Sequence, residues 1–270
     1  MNSIRAIILC GGISNRWNNY LNVEKHFVNV NGISIVENTL KLLKHYDLDI
    51  CIVTNEKNQF FFLKFNYPLI VINSKQATLE FYKIKATYDS WNTIGKTILL
   101  MGDVWYTKKA LKKIITSTEK KLLFFGRQRK NFFTKCKHGE LFAISFYQNN
   151  FTTIKFACEK LEFYITQKHI EISGGWGIYD IVSNLEFLIK ENKIIKGYAL
   201  FSNFCHITDI TDDIDTPKDY ENLVLALKYN RIFLLLLSVK SFIFYSLLKI
   251  FNIIFEFFYS NARTTHKDNF

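Results

Sequence analysis

The chain is 270 residues long, carries a formal charge of +11 and is 49% apolar. With 2 prolines and 11 glycines it is neither linker-rich nor disordered in composition, and its length suits one large α/β domain or a domain with an appendage. The basic balance narrows the partner classes to nucleic acid, anionic lipid or polyphosphate compounds. Lysines scattered singly (Lys41, Lys64, Lys83 and Lys85) read as solvated surface and favour none of the three.

Residues Ile4–Cys10 form a short continuous apolar run ending at Gly11-Gly12, the pattern of a buried strand. The run is too short for a secretory leader. Apolar positions Ile35, Val36, Leu40, Leu42 and Leu43 fall at helical spacing and predict a helix over Ile35–His45. Buried strands follow at Ile50–Thr54, Leu69–Ile72 and Thr97–Met101, with a helix expected over Gln76–Tyr88 between the last two. Thr107–Ser117 reads as a helix behind a Thr cap, and Lys121–Phe125 as a further strand. Short buried strands alternating with helices predict a three-layer α/β domain, a mostly parallel sheet with helices on both faces. Ligands of such sheets bind beyond the carboxyl ends of the strands, where Gly11-Gly12 and Gly102-Asp103 fall.

Residues Gly126–Ile172 look less regular and hold a basic run (Arg127, Arg129, Lys130, Lys135, Lys137) before a strand-like stretch at Leu141–Phe146. Ser173–Gly177 reads as a glycine-rich turn around Trp176. Residues Ile207–Tyr220 are an acidic island, and Asp219–Tyr229 reads as a helix. The segment Arg231–Tyr259 differs in kind. Lys240, Lys249 and Glu256 interrupt a sequence that is almost wholly Leu, Ile and Phe, so no charge-free window of membrane-spanning length exists. Wound as a helix it carries one thin polar stripe, too greasy to stand alone in water. The expected organisation is a catalytic domain over 1–228, a hydrophobic helical tail over 229–260 that meets a membrane surface or a partner subunit, and a polar terminus over 261–270.

The five cysteines (Cys10, Cys51, Cys136, Cys158 and Cys205) have no CxxC spacing. This argues against a disulfide framework or structural zinc and for buried thiols in a reducing cytoplasm.

Three clusters carry chemistry. Glycines directly behind the first strand, in Leu9-Cys10-Gly11-Gly12-Ile13-Ser14-Asn15-Arg16, let backbone N–H groups approach phosphate oxygens because no Cβ blocks the way. Arg16 and Lys25 add fixed positive charge. Leu99-Leu100-Met101-Gly102-Asp103 ends a strand on a carboxylate, and Mg²⁺ takes one or two carboxylates together with substrate phosphates. In Asp213-Ile214-Asp215-Thr216-Pro217-Lys218-Asp219 alternation puts Asp213 and Asp215 on one side. Thr216, Pro217 and Asp219 read as a helix start. That leaves Asp215, or Asp213, for a metal.

In this order and spacing the set LCGGxSxR, a following Lys, LLMGD and DIDTP resembles the nucleotidyltransferases of the GT-A-type α/β fold, which act on sugar phosphates, phosphocholine or the molybdenum cofactor. The resemblance covers roughly residues 4–228. It implies NTP binding by Gly11, Gly12, Ser14 and Arg16, phosphate stabilisation by Lys25, and Mg²⁺ or Mn²⁺ held by Asp103 and Asp215. The implied partners are an NTP, CTP first, and a small phosphorylated acceptor, with Glu140 and Trp176 as acceptor candidates and no nucleic acid. The implied setting is cytoplasmic, peripheral to the inner face of the membrane, in surface-polysaccharide or small-molecule activation. Two departures stand out: Glu24 where the family has Pro before the Lys, and Ser74–Glu80 without glycine where the family reads its base. The alternatives are a nucleotide-sugar-dependent glycosyltransferase, since Asp213-Ile214-Asp215 is a DxD sequence, and a non-catalytic relative of the fold.

Overall fold

The computed structural model describes residues 3–13, 15–74, 76–119, 121–127, 139–167, 174–184 and 203–229. The chain divides into two compact units, Met1–Val224 and Leu225–Phe270. Of the second unit, residues 225–229 are described, and they are helical. The tail expected over 229–260 therefore lies, apart from Tyr229, outside the described residues.

The first unit is built on seven strands: β1 (Ile4–Leu9), β2 (Asp49–Asn55), β3 (Leu69–Ile72), β4 (Lys96–Met101), β5 (Leu123–Arg127), β6 (Glu140–Phe146) and β7 (Phe204–His206). Their order across the sheet is β7-β5-β6-β4-β1-β2-β3. The pairs of β1 with β2 and β4, of β2 with β3, and of β5 with β7 are parallel. Only β6 among these strands runs antiparallel to its neighbours. The continuous apolar runs follow from burial on both faces: Ala6–Leu9 and all of β4 are buried.

The chain steps from β1 to β2 in one direction and returns from β3 to β4 across β1 in the other. Right-handed crossovers therefore send the intervening helices to opposite faces. Helix α1 (Ile35–Leu43) packs with α3 (Lys108–Thr116), while α2 (Glu80–Lys85), α4 (Phe151–Thr166) and α5 (Gly175–Val182) pack with one another. Helix α1 starts on a capping box. The Ser34 hydroxyl accepts from the Glu37 N–H at 3.3 Å and the Glu37 carboxylate accepts from the Ser34 N–H at 3.1 Å, an arrangement worth about 1 kcal/mol. Lys96, the first residue of β4, is buried. Its ammonium donates to the carbonyls of Ile115 at 2.5 Å and Ser117 at 2.9 Å at the end of α3; burial lowers its pKa to about 8.

Three expectations need correction. The helix expected over Gln76–Tyr88 is three short pieces, Gln76–Thr78, Glu80–Lys85 and Tyr88–Ser90; the first break falls at Leu79, which is extended (φ −118°, ψ 133°). The irregular middle contains the 16-residue α4. The glycine-rich turn is the start of α5, with Gly174 at its N-cap.

Strands β2 and β4 flank β1 on opposite sides, so chain direction switches at β1, and the ends of β1 and β4 open the crevice where such sheets bind ligands. Gly102 lets the two ends cross closely. A Cβ there would meet Cys10 Sγ at 2.5 Å and the Leu9 carbonyl oxygen at 2.7 Å.

Candidate active site

A cavity of about 330 Å³ opens at this switch point. The glycine loop forms one wall. The Cys10 N–H donates to Val53 O at 2.8 Å, continuing the β1–β2 ladder, and Asn55 Nδ2 donates to Gly11 O at 3.0 Å. The loop is thus held from behind while Gly12 faces the cavity. Ser14 lies outside the described residues. From Arg16 the chain winds to Lys25 through Asn18, Asn19 and Asn22, at φ 49°, 52° and 54°, a left-handed region asparagine tolerates. Leu21 shares it at φ 58°, a conformation that costs a branched side chain about 1–3 kcal/mol. Trp17 pins this segment: it is buried, its indole N–H donates to Val23 O at 2.8 Å, and its ring meets Tyr20 and Tyr220 edge-on.

The acidic wall is assembled from two distant segments. Val104–Trp105 pairs antiparallel with Asp212–Asp213, and the Ile214 N–H donates to Asp103 O at 3.0 Å. Asp103, Asp213 and Asp215 therefore line one cavity. The helix start behaves as its residues suggested. Asp219 Oδ2 accepts from the Thr216 N–H at 2.8 Å and the Thr216 hydroxyl at 2.7 Å, so the cap uses Thr216 and Asp219 and leaves the Asp215 carboxylate to the cavity.

Lys25 joins the acids. Its Nζ donates to Asp103 Oδ2 at 2.7 Å and Asp215 Oδ1 at 3.0 Å, from a side chain only 8% exposed. Arg16, 70% exposed, ion-pairs with the other oxygen of Asp215. Burial alone would lower the Lys25 pKa, but the carboxylates of Asp103 and Asp215 outweigh it and hold the pKa above the usual lysine range. Burial would likewise raise the Asp103 pKa, but Lys25 and Lys83 hold it below the usual carboxylate range. Burial, then Glu140, Asp215, Asp212 and Asp103, push the Asp213 pKa well up.

Among the described lining residues, five carboxylates (Glu80, Asp103, Glu140, Asp213, Asp215) face three cations (Arg16, Lys25, Lys83). An all-oxygen donor set with surplus negative charge suits Mg²⁺ or Mn²⁺. As the described side chains stand, no three of His, Cys, Asp or Glu converge to hold an ion. The Lys25 ammonium occupies the gap between Asp103 and Asp215. Two carboxylates completed by phosphate oxygens are what Mg²⁺ ordinarily takes, so the residues fit the ion in the company of a phosphorylated ligand.

The remaining candidates are also placed. Glu140, at the start of β6, and Trp176, in α5, both line the cavity. The Trp176 indole N–H donates to Gly139 O at 3.1 Å and its ring stacks on Phe204 at 5.5 Å, so it serves packing as well as lining. Glu24 is not among the lining residues. Arg127 does not belong to an open basic patch: it is buried and paired with Asp212 at 2.6 Å, while residues 128–138 lie outside the described set.

Three lining residues escaped sequence reasoning. Lys83 is buried rather than solvated, and Glu80 joins it. His26 is buried beside Lys25, and burial followed by the Lys25 charge lowers its pKa to about 3, so it is neutral at ordinary pH. The available signals were the i,i+3 spacing of Glu80 and Lys83 and the adjacency of His26 to Lys25. Cys10 is buried, and burial pushes its thiol pKa up.

The sequence matches no family model and no curated protein. The structure does have counterparts. It is similar to the inositol-1-phosphate CTP transferase from T. maritima at 13% identity and TM-score 0.52, over 84% of this chain and 97% of that one. The chain shares that transferase's fold. The chain is similar, too, to a protein of Mycobacterium tuberculosis (13% identity, TM-score 0.54, 83% of this chain and 97% of that one) and to that protein's homologue from another Mycobacterium (14%, 0.53, 84% and 98%). The three-layer, mostly parallel α/β architecture expected from the sequence is this fold.

Proposed function

We propose that the chain is a metal-dependent nucleotidyltransferase that joins an NMP from an NTP, CTP by preference, to a small phosphorylated acceptor and releases pyrophosphate. One observation carries the reading: a buried Lys25 bridges Asp103 and Asp215 at the switch point, opposite a glycine loop that bears Arg16. The similarity in fold to a CTP-using transferase of inositol 1-phosphate supports the choice of CTP and of a phosphate acceptor.

In this reading Gly11 and Gly12 admit the NTP phosphates to backbone N–H groups, with Ser14 beside them. Asp103, with Asp215 or Asp213, would hold Mg²⁺ or Mn²⁺, which supplies charge neutralisation at the α-phosphate. An acceptor phosphate oxygen attacks the α-phosphorus, the bond to the bridging oxygen of the β-phosphate breaks, and pyrophosphate leaves. Lys25 and Arg16 meet the charge that builds on that leaving group. The acceptor phosphate is already ionised near neutral pH, so no strong general base is needed. The neutral His26 and the protonated Cys10 accord with that. Glu140 and Trp176 line the side left for the acceptor.

A screen of four NTPs with Mg²⁺ against phosphorylated alcohols and sugars, read as pyrophosphate release, tests the reaction. Release of NDP or NMP from a nucleotide sugar would replace it with glycosyl transfer. No turnover with any pair, together with no NTP binding, would leave a non-catalytic relative.

The setting proposed is the inner face of a membrane, in polysaccharide decoration or small-molecule activation, with the apolar segment Arg231–Tyr259 as the membrane or partner contact. Among the described residues no helix is long and apolar enough to cross a membrane. Co-sedimentation with anionic liposomes, alongside the mass in solution, tests the contact: a monomer that ignores liposomes would overturn it.

A further inference from the structure

The link between β2 and β3 carries four consecutive apolar residues, Phe60, Phe61, Phe62 and Leu63. They wind as a short helix, Gln59–Phe62, that runs into a tighter turn, Leu63–Phe65. One helical turn cannot bring four consecutive side chains to one side. Phe62 and Phe65, three apart, pack on Phe27 with ring centres at 4.9 and 6.2 Å. Phe60, Phe61 and Leu63 are left 75%, 46% and 62% exposed. Apolar side chains exposed singly need no explanation, but these three line one hollow of about 380 Å³ together with Phe27 and so form a patch. Lys64 closes it. The Lys64 ammonium lies 5.3 Å from the centre of the Phe27 ring and 4.9 Å from that of Phe65, and pairs with Glu37 at 3.0 Å. Beyond Lys64 a second hollow, of about 460 Å³, is lined by Lys41, Lys44 and Lys64 with one acid, Glu37. Lys41 and Lys44 are exposed. An apolar knuckle is thus bordered by three lysines against one carboxylate.

We propose that this face, with Phe60, Phe61 and Leu63 at its tip and Lys41, Lys44 and Lys64 at its border, docks on an anionic lipid surface. Phenylalanine and leucine side chains gain by leaving water for the acyl boundary. Lysines beside them keep their ammonium groups at the phosphate headgroups while their stems cover apolar surface. Charge decides the occupant. A second copy would bring another chain of formal charge +11 to a basic border, whereas an anionic bilayer complements the apolar tip and the basic border together. None of these residues belongs to Arg231–Tyr259, so the contact is separate from the one proposed for that segment. Nor does it depend on the reaction assigned to the cavity. It has a consequence for the cavity all the same. The turn Lys25–Phe27 brings Phe27 to the docking face and Lys25 to the acids of the cavity, so a docked chain holds its cavity near the headgroups.

The test uses the full chain with vesicles of phosphatidylcholine, alone or mixed equally with phosphatidylglycerol. Trp17, Trp91, Trp105 and Trp176 are all buried, so Phe60→Trp adds an indole that reports on this face. On the anionic vesicles the emission of this variant is expected to shift to the blue and to be quenched by lipid brominated in the acyl chain, with little of either on the neutral ones. Phe60→Ser/Leu63→Ser, at the two most exposed positions of the patch, is expected to weaken co-sedimentation by about tenfold or more, the scale for two apolar side chains kept in water, with an unchanged melting curve. Lys41→Gln/Lys44→Gln is expected to weaken it by about fivefold or more and to lessen its dependence on salt. An emission that neither shifts nor is quenched on anionic vesicles would overturn the proposal, however well the chain sediments with them, because the contact would then be made elsewhere. An emission already blue without vesicles and unmoved by them would sink it too, the face being covered by protein; a solution mass that falls to the monomer in Phe60→Ser/Leu63→Ser would identify that cover as a second copy. Wild-type co-sedimentation in both double variants would equally count against it.

Discussion

Asp103 and Asp215 stand at the ends of segments far apart in the chain, yet both accept from the one Lys25 ammonium, at 2.7 and 3.0 Å. That geometry fixes what each substitution should do. Asp103→Ala and Asp215→Ala are expected to lose turnover by a hundredfold or more, on the order expected when several kcal/mol of metal-borne charge stabilisation goes, while the chain stays folded. Asp213→Ala is expected to be milder, because Asp213 lacks the contact to Lys25. Steady-state rates with Mg²⁺ and melting curves check this. Near-wild-type rates in both of the first two variants would remove the metal assignment, and a larger loss at 213 than at 215 would exchange their roles.

Lys25 and Arg16 differ in exposure, and so in expected effect. The buried Lys25 is held in place before any ligand arrives, and its charge is most useful as pyrophosphate departs. Lys25→Ala should therefore lower kcat by roughly a hundredfold, the scale for loss of one preorganised group, with a smaller change in NTP affinity. The exposed Arg16 is free to swing from Asp215 to a phosphate, so Arg16→Ala should act mainly on NTP affinity. Single-turnover rates and equilibrium titrations separate the two, and equal losses in binding and turnover at Lys25 would contradict its role.

Gly102 carries a structural prediction. Two of the three nearest atoms to its missing Cβ, Leu9 O at 2.7 Å and Cys10 Cα at 2.9 Å, are backbone. Gly102→Ala should destabilise the fold by about 1–3 kcal/mol, as overpacking of a tight core does, and should move the neighbouring Asp103. Trimming the one side chain in the way, with Cys10→Ala in the same chain, should not restore stability. Full rescue in a denaturation series would show that the clash is with the thiol alone.

Much of this arrangement was legible in the chain. Continuous apolar runs gave Ile4–Cys10, Leu69–Ile72 and Thr97–Met101 within a residue of the strands found, because strands buried on both faces need no alternation to announce themselves. The glycine loop, Asp103 and Asp215 were legible as candidates from the sequence, and Gly12, Asp103 and Asp215 line one cavity. Helix α4 was not, although Ile154, Ala157, Cys158, Leu161 and Tyr164 lie on its buried face. Phe156 and Phe163, 53% and 56% exposed, put apolar residues on the solvent side and blur the stripe. Lys83 was hidden for another reason: a lysine's burial depends on what folds over it, here the loop that follows the interior strand β1, and no local pattern carries that. Strand β7 and its place beside β5 are non-local in the same way.

Asp180 gives a pH dependence whose sign can be worked out. It sits in α5, is buried, and its Oδ2 has no hydrogen-bond partner among the described residues. Burial alone raises its pKa from 3.8 to about 7. Below pH 4 both the folded and the unfolded chain hold the proton, and the residue makes no demand on stability. Between about 4 and 7 the unfolded chain releases the proton and the folded chain keeps it, so stability falls as pH rises, at up to about 1.4 kcal/mol per pH unit. Above 7 both forms are ionised and the full penalty remains. Asp180→Asn keeps the shape, cannot ionise, and should flatten this part of the curve. The variant should therefore be the more stable chain at pH 8 and no better than wild type at about pH 3. Urea denaturation of both chains across this range measures the difference directly, since every other titrating group is common to the two. Parallel curves would mean that Asp180 finds a partner on ionising, and that its burial is not the isolated kind the geometry describes.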